Sequence, residues 1–422
     1  MTTFHDILDE FPESVQDTIA RAWESVPGEQ RKHLEELLGA LPGSLKPLKD
    51  LMSSVADQYA PVVGQKRTIA IVGPANVGKS TLYNQLITRR QDRADVGPVP
   101  GTTRQNQEAD TGLFTLIDTP GADAVGEVGA KEREIALQAA GKADFLVIMF
   151  EATRGIKRDE LNLYETLLAL GKPYIVVLNK SDLIAKRDRP SVRESAANNL
   201  QLLPSQLIET VATEGTRVED VILAIARAEP RLLAAIGQAM PEYRAKLAWQ
   251  RTVTAAASAG VVGLMPLPFA DLIPLTGIQI GLVLTIARIY QQKITLARAR
   301  ELIAAFGVGM TARTLFHELS KLGGVPFWIL GAGIASAATV GIGYGATAWF
   351  AHGEKPTRQS LRRVVADVTL YLRDQLRDLG ENKPARRTLR QRIGQALKEL
   401  PDHLRPQRRP SAEDQADSEP GA

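Results

Sequence analysis

The 422-residue chain contains no cysteine. Disulfides, thiolate nucleophiles and cysteine-ligated metals are therefore excluded, and the composition suits a reducing cytoplasm. The first residues, MTTFHDILDE, are acidic and lack a long apolar run, so no secretory signal is expected. No repeat of 20–50 residues is visible, which argues against a solenoid or propeller. No aromatic run of the RNP type is present, so no familiar RNA-binding module can be read. Charge is missing locally as well. Only Asp271 is charged between Arg251 and Arg288, and 322–353 contains no Asp, Glu, Lys or Arg at all.

What is present is globular in bulk, with 44% hydrophobic and 23% charged residues, and the length allows two or three domains. The net charge of +3 conceals an uneven distribution. Residues 1–66 carry eleven acidic against six basic residues, and 352–409 carry fifteen basic against seven acidic.

The most informative stretch is Arg67–Thr81, RTIAIVGPANVGKST. Thr68–Val72 is a short apolar, β-branched run and predicts a buried strand. Gly73–Lys79 is a turn bounded by glycines, and Ser80 opens a helical pattern. Gly73, Gly78, Lys79 and Ser80 fill the spacing G-x-x-x-x-G-K-[ST] in the strand–turn–helix context that this spacing requires. Such a turn is built for phosphate: its N–H groups and the helix N-terminus converge on one place where negative charge is favoured. The candidate phosphate-binding residues are Gly73 and Asn76, Val77, Gly78, Lys79, Ser80 and Thr81. Lys79 would meet the outer phosphates, and Ser80 offers an oxygen to Mg²⁺.

From Arg67 to about Ala228, strand and helix patterns alternate. Strands are expected at Thr68–Val72, Phe114–Ile117, Phe145–Phe150, Tyr174–Leu178 and Leu207–Val211. Helices are expected at Ser80–Thr88, Lys131–Ala140, Arg158–Ala169, Val192–Leu202 and Val218–Arg227. This predicts an α/β domain with a mixed, mostly parallel sheet and helices on both faces, with ligands at the carboxyl ends of the strands. Two further motifs fall there. Asp118-Thr119-Pro120-Gly121 follows the second strand, where a carboxylate can support Mg²⁺ and the Gly121 N–H can meet a γ-phosphate. Asn179-Lys180-Ser181-Asp182 ends the fourth strand, where Asp182 can accept from both N1–H and the 2-amino group of guanine, a pair that adenine lacks.

With these motifs in order, residues 67–228 resemble the translation-factor-related GTPases, and within them the Era and TrmE group. Pro100-Gly101-Thr102-Thr103-Arg104 is similar to that group's switch I, which implies that Thr103 binds Mg²⁺. Val211-Ala212-Thr213-Glu214-Gly215 is similar to its last guanine loop, with Val211 in place of the usual Ser, and implies that the Ala212 N–H meets the guanine oxygen. The resemblance implies GTP hydrolysis to GDP and phosphate, with Lys79, Thr103, Asp118 and Gly121 catalytic, and Ser80, Thr103 and Asp118 holding Mg²⁺. Ala122 stands where Ras-type enzymes carry a water-positioning Gln. Asp123 or Glu127 would orient water instead, or serve as solvated switch residues. Asn76 matches the residue with which some members hold K⁺, and it is equally compatible with K⁺-independent members. Members of the group often dimerise through their GTPase domains.

Around this domain the chain is expected to be helical. Residues 1–66 read as two or three amphipathic helices, and 229–241 as a linker. Residues 242–351 read as a hydrophobic helical domain. Within it, Val253–Ala270 and Leu272–Ala287 are separated by Pro266, Pro268 and Pro274, with basic flanks that include Arg244, Lys246 and Arg251. Val325–Ala351 is long enough to span a bilayer. The positive-inside rule favours a glycine-kinked hairpin or shallow insertion there over a single span, and the rival is a buried helical core. The pattern P-x-P-x-A-D-x-I with a later Gly-rich run resembles a helical domain of unknown function found behind some Era-like GTPases. Residues 352–404 read as basic amphipathic helices, with Leu361, Val364, Val365, Val368, Leu372 and Leu376 on one stripe. Their arginines suit anionic lipid or RNA, or form a solvated face. Residues 405–422 read as a disordered tail. The sequence thus points to a GTP-hydrolysing switch coupled to 242–351 at the cytoplasmic face of the inner (plasma) membrane. An RNA or ribosome-assembly GTPase and a GTP-binding scaffold with negligible turnover are the rivals.

Overall fold

The computed structural model describes residues 68–86, 113–116, 134, 137–264, 272–306, 318, 326–353, 356–380 and 382–401. The expectations for Thr103, Asp118 and Gly121, for Arg104, Ala122, Asp123 and Glu127, and for the stretches 1–66 and 405–422 lie outside the described residues. The chain divides into two compact units that adjoin in sequence at Pro241 and Glu242.

One unit is built on five strands: β1 (Ile69–Val72), β2 (Phe114–Leu116), β3 (Phe145–Glu151), β4 (Tyr174–Asn179) and β5 (Leu207–Glu209). Their order in space is β2-β1-β3-β4-β5, and every described pairing is parallel. The sheet, expected to be mixed but mostly parallel, is parallel throughout its described strands. Parallel neighbours need crossovers, which run through helices. These include α1 (Lys79–Leu86), α2 (Arg158–Leu168) and α3 (Arg189–Asn199), and α4 (Val218–Ala228) follows β5. Helices on both faces bury the central strands from both sides, so all of β1 and Phe145–Phe150 of β3 are enclosed. The chain steps from β1 to β2 in one direction and builds β3, β4 and β5 in the other. The reversal at β1 opens a crevice at the carboxyl ends of the strands, where the 73–79 turn leaves β1.

Local signals place the helices. Glu160 accepts a hydrogen bond from the Lys157 N–H at 3.0 Å, closing the start of α2. Leu163, Tyr164 and Leu167 then recur at helical spacing and are buried. Residues 229–241, expected as a linker, are helical instead. They form a short turn and α5 (Leu233–Ala239), with Leu232, Leu233, Ile236 and Met240 buried. Those apolar positions also recur at helical spacing, which accounts for the packing. The enclosed Glu229 carboxylate accepts from Arg231 N at 3.1 Å, Nε at 2.7 Å and Nη2 at 2.5 Å. That pairing raises the Arg231 pKa above its ordinary value.

The other unit is all helical in its described residues: α6 (Arg244–Val262), α7 (Leu272–Ile289), α8 (Leu296–Phe306), α9 (Phe327–His352), α10 (Arg358–Leu376) and α11 (Arg386–Lys398). α9 packs against α6, α7, α8 and α10, and α11 packs against α6. α6 and α9 run antiparallel, since Gly263 faces Gly331 at one end and Thr252 faces Gly343 nearer the other. The approach is close. A Cβ on Gly263 would lie 2.4 Å from the Gly331 carbonyl oxygen, and Ser336 Oγ donates to the Ala256 carbonyl at 2.9 Å.

Three expectations need correction here. The glycine-kinked hairpin expected for 325–351 is replaced by one unbroken helix of 26 residues, about 39 Å long at 1.5 Å per residue. The smallness of Gly331, Gly343 and Gly345 is used for contact with α6 and α8, not for bending. Arg251, read as a basic flank, is buried within α6, because that helix begins at Arg244 and runs through it. Pro274, read as a separator, sits in the first turn of α7, where its missing N–H costs no helical bond. The stripe on α10 is as expected, with Leu361, Val365, Val368, Leu372 and Leu376 buried and Val364 half-buried. Thr357 caps that helix, its Oγ1 accepting from Ser360 N at 3.1 Å.

Candidate functional site

The turn after β1 is shaped by two glycines. Gly73 has φ +153°, and a Cβ there would lie 2.2 Å from the Met149 carbonyl oxygen, so the turn can lie against β3 only without a side chain. Gly78 has φ +94°, and a Cβ would lie 2.2 Å from Asn179 Nδ2. Asn76 between them is left-handed at φ +63°, a conformation that Asn tolerates better than most residues. Val77 is buried and anchors the loop, whereas Asn76 is exposed. Lys79 opens α1 and is buried, with Nζ donating to the carbonyls of Gly73 at 2.8 Å and Pro74 at 2.7 Å. Its ammonium is thus held over the loop, inside the curve of the backbone. Ser80 and Thr81 follow on the first turn of α1 and are half-exposed.

The second part of the site ends β4. Asn179 is buried, and both ends of its amide are used. Nδ2 donates to the Val77 carbonyl at 2.9 Å, while Oδ1 accepts from Thr210 Oγ1 at 3.1 Å and from Ala212 N at 3.0 Å. One side chain therefore ties the 73–79 turn to the end of β4 and to the loop after β5. The Ala212 N–H, expected from the sequence to meet the guanine oxygen, is donated here to Asn179 Oδ1, which holds the loop after β5 in place. Ser181 N and Oγ both donate to the Thr210 carbonyl at 3.2 Å, a second tie between the same loops. Asp182 lies in the short helical turn Ser181–Leu183 and is exposed.

Lys180 is left-handed, with φ 62° and ψ 35°. Its Nζ donates to Glu151 Oε2 at 2.8 Å. Burial pulls the Glu151 pKa upward. The hydrogen bonds from Lys180 and Thr153, with the charges of Lys180 and Arg154, outweigh this and hold it below the ordinary carboxylate value. Sequence reading missed Glu151 and Thr210. The signal for Glu151 was available, since an acid closes the otherwise apolar strand FLVIMFE.

The structure thus brings together Gly73, Asn76–Thr81, Asn179, Lys180, Asp182 and Ala212, whereas Thr103, Asp118 and Gly121 lie outside the described residues. Among the described residues no cluster of three or more His, Asp or Glu side chains could hold a metal unaided. The Ser80 hydroxyl at the start of α1 fits a Mg²⁺ that takes its remaining ligands from elsewhere.

Comparison with known families agrees with this geometry. Residues 68–180 match the family described as 50S ribosome-binding GTPase. Residues 244–373 match a domain of unknown function, DUF697. GTPase Der from Kosmotoga olearia is 32% identical over 164 residues, covering 36% of this chain and 37% of that protein. GTPase Der from Thermotoga neapolitana is 33% identical over 177 residues, covering 39% and 40%. The chain spans about two fifths of the length of these curated relatives. Among solved structures, Era in complex with MgGDPNP and nucleotides 1506–1542 of 16S ribosomal RNA is 26% identical with a TM-score of 0.33, covering 46% of this chain and 67% of that one. The chain therefore carries a P-loop GTPase domain, as the motifs implied, with a domain of unknown function behind it.

Proposed function

We propose that this chain, built on a P-loop GTPase domain, binds GTP and hydrolyses it to GDP and phosphate as a switch coupled to the helical unit. The observation that carries the proposal is the placement of Asn179, whose three hydrogen bonds join the phosphate turn, the base-selecting turn and the loop after β5 into one site. Gly73–Gly78 would wrap the phosphates with backbone N–H groups. Lys79 would exchange its two carbonyl partners for phosphate oxygens and stabilise the charge that develops during transfer. Asp182, exposed beside the anchored Asn179, would select guanine. Ser80, together with Thr103 and Asp118, would hold Mg²⁺, which when bound neutralises charge between the outer phosphates. Asn76, exposed in the same loop, is the residue that would face a K⁺.

The test is nucleotide titration followed by single-turnover hydrolysis with and without K⁺. Wild-type protein is expected to bind GDP and GTP but not ATP, and to release phosphate from GTP. Lys79→Ala is expected to lose hydrolysis. Binding of GTP without phosphate release would leave a nucleotide-dependent scaffold, and equal binding of ATP would remove the guanine reading.

For the helical unit we propose attachment to the cytoplasmic face of a membrane. The length and apolarity of α9 support a membrane link. However, 83% of its most apolar 18-residue window is buried by its own unit, so the attachment proposed is peripheral. Native membranes should retain the protein and release it into alkaline carbonate. Recovery in the original soluble fraction would overturn this and favour an RNA partner. The exposed Arg358, Arg362 and Arg363 of α10, with Arg377 just beyond its end, suit RNA, and salt-dependent RNA binding would then be expected.

A further inference from the structure

We propose that Glu151 is a positioning residue for nucleotide binding: through its charge-paired hydrogen bond it fixes the Lys180 side chain beside the guanine site and so sets the affinity for guanine nucleotide. The inference rests on the reading of Asn179-Lys180-Ser181-Asp182 as the guanine-selecting turn.

The geometry begins with register. Glu151 and Asn179 are paired neighbours at the carboxyl ends of β3 and β4. The Ala152 N–H donates to the Asn179 carbonyl at 2.9 Å, so the backbone leaving β3 is fastened to the base turn. The chain then leaves β4 through the left-handed Lys180, which turns that residue back toward β3. Its ammonium reaches Glu151 Oε2 at 2.8 Å. A lysine stem is long and rotamer-rich, and an ammonium is a mobile point charge unless something holds its end. Here the backbone end is set by the αL conformation and the far end by Glu151.

Glu151 is suited to this role. Its side chain is only 10% exposed, so the carboxylate needs partners. Thr153 Oγ1 donates to Oε1, and Arg154 Nε lies 3.4 Å from the same oxygen. The Arg154 side chain is 65% exposed, and a pair of that kind contributes little. Oε2 is given to Lys180. With the carboxylate removed, Lys180 keeps its strained backbone but loses the anchor for its ammonium, and the wall of the base site it forms loosens. Because the base is remote from the reacting phosphates, the loss should fall equally on ground and transition states. That raises KM and leaves kcat unchanged.

The experiment uses the full chain and a fluorescent GDP, titrated against wild type, Glu151→Gln, Glu151→Asp, Lys180→Met and the Glu151→Gln/Lys180→Met double variant. Glu151→Gln should weaken GDP and GTP alike by about tenfold, the scale of one charged hydrogen bond, with kcat retained. Glu151→Asp, which keeps the charge, should recover to within about threefold of wild type. The double variant should bind no worse than Lys180→Met alone, because Glu151 acts only through Lys180. Normal GDP affinity in Glu151→Gln, equal losses in the Gln and Asp variants, or losses that simply add in the double variant would overturn the inference while leaving the guanine reading intact. Failure of wild type to bind GDP would overturn both.

Discussion

Replacing Asn179 by Ala tests the way in which this site is assembled. The substitution removes one donor and one doubly used acceptor, leaving the Val77 carbonyl, the Thr210 hydroxyl and the Ala212 N–H without the partner each has now. All three residues are buried, at 2%, 0% and 1% exposure, so water cannot simply take over. At about 1 kcal/mol for each bond lost, the local structure should weaken by about 3 kcal/mol. That corresponds to opening made about 150-fold easier at 1.36 kcal/mol per factor of ten. Amide exchange followed by mass spectrometry reads this opening directly, segment by segment. Peptides from the phosphate turn and from residues 207–216 should both exchange faster, and strand β3 should change less. Asn179→Asp sharpens the test. It keeps an oxygen for Thr210 and Ala212 but sets a second oxygen against the Val77 carbonyl, so the phosphate turn should loosen while the loop after β5 stays protected. Exchange accelerated less than about fivefold in Asn179→Ala, or equal loosening of both loops in Asn179→Asp, would refute the claim that this side chain joins them.

Two predictions concern the helical unit. Burial pushes the Tyr290 phenol up to about 12, with Arg244 opposing. The unfolded phenol ionises near 10 while the folded one stays neutral, so stability should fall as pH rises from about 10 toward 12, by at most about 2–3 kcal/mol. Tyr290→Phe should flatten that fall in melts followed by tryptophan fluorescence at pH 9 and 11, and an unchanged slope would count against it. For Gly343→Val, the new Cβ would lie 2.4 to 3.0 Å from Oγ1, Cγ2 and Cβ of Thr252. Overpacking of this kind costs about 1–3 kcal/mol, so the melting temperature should drop by about 4–10 °C. No drop would mean that α6 and α9 do not meet in this way.

The sheet was legible because its strands are short apolar runs, such as Phe145–Phe150, that only a doubly covered parallel sheet buries. The phosphate turn was legible because glycine, lysine and serine at fixed offsets carry the chemistry in their spacing. Contacts between distant stretches were not legible. Asn179 could be assigned to a base turn from sequence, but its bond to Val77 spans 102 positions and appears only once β1 and β4 flank β3. The tie made by Ala212 was hidden for the same reason: the acceptor that takes its N–H lies 33 positions away. Glu151 was overlooked because an acid at a strand end has no fixed partner until the register across β3 and β4 is known. In the helical unit, composition located the apolar stretches but not their ends. Arg251 interrupts the apolar pattern in sequence and yet lies inside α6, because a helix continues through a single charged residue that the fold encloses.

The apolar helices pose a question that length and composition alone leave open, since a bilayer span and a core helix pass the same test. Their hydroxyls are equally uninformative. Thr252, Thr285, Thr339 and Thr369 each donate to the carbonyl four residues earlier, at 2.8, 2.8, 2.9 and 2.7 Å, which satisfies them inside their own helices in either surrounding. The covering of these helices bears on the attachment proposed above. α10 lays its apolar stripe toward the core and presents Arg358, Arg362 and Arg363 outward, with Arg377 exposed just past its end. α8, packed on α9 as well, carries the Arg298–Glu301 pair at 2.7 Å on its exposed side. Hydrocarbon does not accept such faces, whereas an anionic headgroup layer does. In this arrangement α9 is the core of its unit and the charged outer helices are the surface. For the peripheral attachment proposed above, the exposed arginines of α10 are the groups that would meet anionic headgroups.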